Sequence, residues 1–391
     1  MTNPVLQLKP GREKPVVTGH PWVFSGAVAD ITGTLESGGL CDIHDNDGKF
    51  IARGDAQQKG TIRCRILTRR KEEIDADFFR RRMEYALALR ESLLSDDTNA
   101  CRLINGEGDF LPGLIVDRYA GGLCCQILTA GMDNRRELIF ELLGELLSPE
   151  FIVERSEGSV RKQEGLENRG GLVTGDLPKQ VEIRETGLRY LVDLRHGQKT
   201  GFYLDQRENR KLFGTLCEGK RVGVIFGYSG SFGMAAASNG ASEVILVDSS
   251  APASELAQEN FVLNELDGTP GDIFTVDAFE YLRSDVGEFD VMLLDPPAFA
   301  KHRKDIGNAT RAYKEINIQA FRRIKHGGML MTCSCSQHID GELFRKIVFG
   351  AAVDAGRNVA VLKVLGHGPD HPVSLHHREG EYLTSLLLRV S

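Results

Sequence analysis

Residues 221–248, RVGVIFGYSGSFGMAAASNGASEVILVD, decide the fold. An apolar run (221–226) breaks at the turn GYSGSFG (227–233), small helix-forming residues follow, and a second apolar run ends on Asp248. Strand, glycine turn, helix and strand in this order form the unit of a parallel sheet. Gly227, Gly230 and Gly233 let the backbone approach a ligand and open a helix N-terminus toward it. Their spacing departs from the dinucleotide pattern G-x-G-x-x-G. Asp248, about 20 residues further on, is placed to accept hydrogen bonds from both hydroxyls of a ribose.

The same alternation continues toward the C-terminus. DIFTVD (272–277), DVMLLD (290–295) and GMLMTC (328–333) read as strands, with helical stretches around 231–238, 251–264, 278–284 and 308–325. A last helix (340–355) leads to VAVLKVL (359–365) and YLTSLLLRV (382–390). Such a pattern predicts a doubly wound, Rossmann-like sheet, whose ligands sit beyond the carboxyl ends of the strands. Working toward the N-terminus, residues 1–70 show short strands, with TIRCRIL (61–67) alternating at period two. Residues 75–94 place Phe78, Phe79, Met83, Ala86 and Leu87 at helical spacing. A hairpin at 114–127, a helix at 134–147 and further strand-like runs follow. The expectation is a multidomain α/β protein: a small β domain (1–70), an α+β middle domain (71–190) and the sheet domain (191–391).

No apolar run reaches the ~20 residues that span a bilayer, and the N-terminus lacks the apolar core of a signal peptide. The eight cysteines show no Cys-x-x-Cys pairing, so a reduced, cytoplasmic chain without a metal site is expected. The net charge of −7 argues against indiscriminate nucleic-acid binding, yet residues 1–70 hold ten Lys/Arg against seven Asp/Glu. RNA contact would therefore rest on local clusters, such as Lys9, Arg12 and Lys14, or Arg63, Arg65, Arg69 and Arg70. The plainer reading of both is a solvated charged face.

The strand ends carry the candidate chemistry. Asp277 and Ala278 close the third strand, where a carboxylate can meet an adenine amino group; capping of the next helix is the structural alternative. Asp295-Pro296-Pro297-Ala298-Phe299 closes the fourth, and the prolines stiffen the loop that projects Asp295. Phe299 suits stacking on an extruded base. The fifth strand ends at Cys333-Ser334-Cys335. A thiolate adding to carbon 6 of a cytosine makes carbon 5 nucleophilic enough to accept a methyl group. A helix starting near residue 339 would lower the thiol pKa. Cys333 and Cys335 share a side by period two, so alternation does not choose between them, and two buried packing cysteines are the alternative.

Taken together, these motifs resemble the PUA-domain-bearing class I methyltransferases that make 5-methylcytosine in large-subunit ribosomal RNA. The resemblance spans essentially the whole chain. It rests on LKPGREKPVVTGHPWVFSGAV (8–28), RLINGEGDFLPGLIVDRY (102–119), GQKTGFYLDQRENR (197–210), DPPAFAK (295–301), RAYKEIN (311–317), SCS (334–336), DHPV (370–373) and EGEYL (379–383). It implies S-adenosylmethionine as cofactor, held by Gly227, Ser229, Gly230, Gly233, Asp248, Asp277, Ala278, Asp205, Gln206 and Asp295. It implies Cys335 rather than Cys333 as nucleophile, and Asp295 orienting the cytosine. RNA contacts would come from Lys9, Arg12, Lys14, Arg207, Phe299 and Lys301. Ribosomal RNA of the 23S type is the implied partner, and members are often dimers, so a homodimer is expected. FGYSGSFG departs from the commoner FSYTGGFG-like form, and Gln337-His338 is atypical after SCS.

Three rival readings remain. A same-fold enzyme methylating a guanine or adenine nitrogen also uses Asp-Pro-Pro with an aromatic, but needs no thiol. A ribosome-assembly factor would keep the fold as an RNA-binding scaffold without catalysis. A nicotinamide dehydrogenase is disfavoured by the glycine spacing.

Overall fold

The long apolar runs at 221–225, 243–248 and 289–294 are buried on both faces, as parallel strands covered by helices on either side must be. In the computed structural model, which describes residues 3–300 and 302–391, they lie at the centre of a seven-stranded sheet. Its strands are β1 (Arg221–Ile225), β2 (Glu243–Asp248), β3 (Gly271–Thr275), β4 (Phe289–Leu294), β5 (Ile324–Ser334), β6 (Val359–Leu365) and β7 (Thr384–Val390), in the order β3-β2-β1-β4-β5-β7-β6. The first five are parallel, and β7 runs antiparallel to both β5 and β6. Helices Ser231–Ser238, Ala251–Leu263, Ala278–Arg283, Ile306–Arg323 and Gly341–Asp354 follow the predicted stretches closely. Each crossover returns the chain to the same edge of the sheet, so the strand-to-helix turns of β1, β2, β4 and β5 gather at one end.

This sheet belongs to a unit comprising Glu182–Leu191, Tyr203–Gly368 and Glu381–Ser391. A core of this unit packs Tyr313, Phe321 and Phe344 of the helices beside Ile225, Leu294 and Leu330 of the strands.

A second unit runs to Val181 and includes Val192–Phe202 and Pro369–Gly380. It contains two sheets. The first is six-stranded, with Phe50–Ala56 and Leu40–His44 at its centre and Leu6, Val23, Cys41, Ile43 and Cys64 inside. The second is five-stranded, from Ala100–Asn105 to Arg169–Gly175, and packs against helices Ala76–Leu93 and Arg136–Leu147. The DHPV stretch is anchored in this unit by buried polar groups. Arg90 grips Asp109 through two 2.7 Å bonds and donates to the Asp370 carbonyl at 2.8 Å, and the Arg102 amide donates to the Asp370 carboxylate at 3.0 Å. His377 lies edge-on to Trp22, with ring centres 4.4 Å apart. Among the described residues, no helix is long and apolar enough to cross a membrane.

Candidate active site at the carboxyl ends of the sheet

The turn after β1 is strained. Phe226 and Tyr228 hold left-handed backbone at φ 65° and 46°, beside Gly230 at φ 82°. For residues with a Cβ this costs of order 1–3 kcal/mol each, and such strain concentrates at functional sites. The glycines serve packing more than open space. A Cβ on Gly227 would lie 2.5 Å from the Leu246 side chain, and one on Gly230 3.0 Å from Ala257. Gly233 likewise faces Phe261, Leu246 and Val244. Ser229 is 1% exposed, and its hydroxyl finds no hydrogen-bond partner among the described residues. A buried hydroxyl left unpaired costs about 1–3 kcal/mol, so this turn is built for a polar ligand. Asn260, absent from the sequence reading, fixes the turn: its amide donates to the Ser229 carbonyl at 3.1 Å and accepts from the Leu191 amide at 2.7 Å.

Asp248 sits at the end of β2, half-buried. Its two oxygens accept from the Tyr228 and Ser250 amides, each at 2.9 Å. Both oxygens keep further lone pairs, as a ribose diol requires. Asp277 is exposed and caps its helix, one oxygen accepting from the amides of Phe279 and Glu280. The capping alternative is thus realised there, beside the buried Ala278. An orphaned buried hydroxyl, a strained turn and a carboxylate at the next strand end together fit a nucleoside-bearing cofactor.

The other half of the site centres on Asp295 and Cys335. Asp295 accepts from the Gln206 side-chain amide at 3.0 Å, and Gln206 accepts from Asn209 at 2.5 Å. Asn209 also donates to the Gly366 carbonyl at 3.2 Å, so a chain of amides sets the carboxylate's direction. Asp205 is buried; Tyr382, in the EGEYL stretch, donates its hydroxyl to it at 2.7 Å, and its carbonyl accepts from the Gly368 amide. Tyr203, overlooked in the sequence, stands edge-on to Tyr228 with ring centres 5.5 Å apart. Burial pushes its phenol well up, and the nearby Asp295 carboxylate adds to this. Nothing in its periodicity singles it out; only its place beside Leu204-Asp205-Gln206 does.

Period-two alternation left two thiols, and the structure separates them. Strand β5 ends at Ser334. Cys333 lies inside it, fully buried and hydrogen-bonded by Ser385 at 3.1 Å; burial, with Asp295 nearby, holds its thiol far above the usual range. Cys335 is one residue past the strand, the only cysteine of the eight that is not buried, with Sγ 3.7 Å from the Pro296 carbonyl. The helix expected near 339 begins at Gly341, and its first turn is already capped by Asp340. Phe299 is half-buried, its ring 4.7 Å from Tyr313 and 6.3 Å from Phe279.

The expected RNA contacts divide. Lys9, Arg12 and Lys14 are exposed, although Lys9 donates to the Gly26 carbonyl. Three arginines of the second basic cluster are engaged within the protein, and Arg70 is exposed: Arg65 pairs with Glu107 and Glu164, Arg69 holds the Val16 and His20 carbonyls, and Arg63 bonds the Gln57 and Gln58 carbonyls. Arg207 is buried beside Glu208 at 3.4 Å, so it presents no open cation to a phosphate. Lys301 lies outside the described residues. Among those residues, no cluster of His, Cys, Asp or Glu is placed to hold a metal ion.

Comparison with known proteins bears on this geometry. Residues 6–69 match a PUA-like domain and residues 167–365 an S-adenosylmethionine-dependent methyltransferase. The chain is 43% identical over 390 residues to a ribosomal RNA large subunit methyltransferase I from Aeromonas salmonicida, covering 98% of each. It is 42% identical over 391 residues to one from Escherichia coli, covering 98% of this chain and 99% of that one. A solved SAM-dependent methyltransferase from Streptococcus mutans shares the fold across the full length of both chains, at a TM-score of 0.86 and 20% identity. A methyltransferase structure complexed with SAH does so at 0.87 and 20%.

Proposed function

The chain belongs to the S-adenosylmethionine-dependent methyltransferases, in the family of the ribosomal RNA large subunit methyltransferases I, and from this we propose that it methylates carbon 5 of one cytosine in 23S ribosomal RNA through a covalent bond to Cys335. The observation that carries the proposal is the half-buried Cys335 thiol against the Asp-Pro-Pro loop, in contrast to a fully buried Cys333. Bound S-adenosylmethionine supplies an electrophilic methyl group. In this reading Ser229 and Asp248 hold it, with Gly227, Gly230, Gly233, Asp277 and Ala278 shaping the same end of the sheet, and Asp205 and Gln206 beside it.

Cys335, as thiolate, forms a bond from sulfur to carbon 6 of the extruded cytosine, and carbon 5 becomes the nucleophile that accepts the methyl. Water then takes the proton on carbon 5, the freed electron pair re-forms the double bond to carbon 6, and the sulfur–carbon bond breaks to restore the thiolate. Asp295, aimed by Gln206, accepts a hydrogen bond from the cytosine amino group and holds the ring against the sulfur. Phe299 closes one side of the pocket. The working division is 1–70 for RNA docking through Lys9, Arg12 and Lys14, 71–190 for substrate recognition, and 191–391 for transfer. A cytoplasmic homodimer belongs to the same reading, and light scattering of the purified chain tests its pairing.

Mapping 5-methylcytosine in 23S ribosomal RNA from a strain lacking the gene tests the activity. Loss of one modification, restored by the intact gene and not by Cys335→Ala, is expected; an unchanged map contradicts it.

A further inference from the structure

The RAYKEIN stretch has no part in the chemistry so far, yet its tyrosine lies directly beneath it. Tyr313 is fully buried on helix Ile306–Arg323. Its hydroxyl is 3.0 Å from Ser336 Oγ, and Ser336 Oγ accepts from the Ala300 amide at 3.2 Å. Ser334 Oγ in turn accepts from the Ser336 amide at 3.5 Å. Ser336, beside Cys335, is therefore tied directly to Ala300 at the end of the loop that begins at Asp295, and the Tyr313 phenol holds the same serine hydroxyl. The ring itself packs on Phe299 and, at 5.5 Å, on Phe344.

We infer that Tyr313 is a positioning residue for the transfer, its hydroxyl fixing Ser336 Oγ, which joins the Cys335 loop to the Asp295–Ala300 loop, so that sulfur and carboxylate address one base. A simple packing role needs only the ring, and the hydroxyl adds a bond to the segment that carries Cys335. Burial pushes the phenol up to about 12, while its bonds to Ser334 and Ser336 act against that rise, so it stays protonated and able to donate. The inference explains the serine on either side of the cysteine. Ser334 and Ser336 are both buried, and their hydroxyls face the hub instead of solvent.

This inference rests on the covalent reading, and one assay separates the two. Fluorine at carbon 5 blocks the final proton loss, so 23S ribosomal RNA transcribed with 5-fluorocytidine traps the sulfur–carbon-6 bond once the methyl has been transferred. The unmodified enzyme is expected to form the trapped complex. Tyr313→Phe, which keeps the ring, is expected to trap and turn over about 10- to 100-fold more slowly, the penalty of a reacting group misplaced by about 1 Å. Its affinity for S-adenosylmethionine, read by calorimetry, should stay within about twofold, because Ser229 and Asp248 lie elsewhere. Trapping at the unmodified rate by Tyr313→Phe overturns the positioning role and leaves the covalent reading standing. No trapping by the unmodified enzyme overturns the covalent reading and the inference with it. Should Tyr313→Phe fail to fold, Ser336→Ala breaks the same link, with the same loss expected and an unchanged rate contradicting it.

Discussion

The two halves of the crevice are built differently. At the β1–β2 end, Asp248 and Asp277 are held by backbone amides, and the glycines serve close packing between strand and helix. At the β4–β5 end, Asp295 and the serines around Cys335 are held by other side chains: Gln206, Asn209 and Tyr313. The first half is set by the backbone of the fold and the close packing of its glycines. The second is a network in which each group is oriented by another, so substitutions there should cost rate more than affinity.

Substitutions at both ends break or sharpen that contrast. Cys335→Ala should lower turnover by at least about 1,000-fold while leaving cofactor affinity within about twofold, as single-turnover assays and calorimetry would show. Asp295→Asn keeps the shape and loses the carboxylate, and should cost about 100-fold in kcat. At the other end, Asp248→Ala should raise the Kd for S-adenosylmethionine about 10-fold, near 1.4 kcal/mol, with kcat at saturating cofactor little changed. A fall in kcat as large as that of Asp295→Asn would erase the distinction between the halves. Asp277→Ala should have the smallest effect, about 1 kcal/mol of stability from the lost cap, read as a lower denaturation midpoint. A large loss of cofactor affinity there would instead give Asp277 a direct role at the adenine.

The thiols add a dependence on pH. Burial holds Cys64, Cys125 and Cys333 well above the usual thiol range and pushes Cys217 up to about 12. A raised thiol pKa leaves the group protonated, hence unreactive, until the pH passes that value. Iodoacetamide at pH 8 should therefore label one cysteine of the native chain, Cys335, and all eight only after unfolding.

The sheet was legible because doubly covered parallel strands leave continuous apolar runs, and βαβ spacing orders them; β1 to β5 and their helices follow from that alone. Asp248, Asp295 and Cys335 were legible as candidates because ligand sites of such sheets fall at strand ends, where the structure puts all three. Alternation left the choice between the two thiols open and only the SCS resemblance favoured Cys335; their unequal burial depends on β5 ending at Ser334, and strand ends are set by the neighbouring β7 as much as by the residues themselves. Tyr203, Asn260 and Tyr313 carry no periodic signal as site residues; a tyrosine facing a core and a tyrosine tying two loops look alike in sequence. Arg65 and Arg69 read as a basic patch because their partners Glu107, Glu164 and the His20 carbonyl are remote in the chain or belong to the backbone.

The central claim is that Cys335, and not Cys333, forms the bond to the base. Fragment-ion sequencing of the peptide released from the 5-fluorocytidine-trapped complex tests it directly, since both cysteines lie on one peptide and fragmentation between them separates their masses. The account predicts the methylated nucleotide on Cys335 with Cys333 unmodified; an adduct on Cys333, or a trapped peptide from elsewhere in the chain, would contradict it.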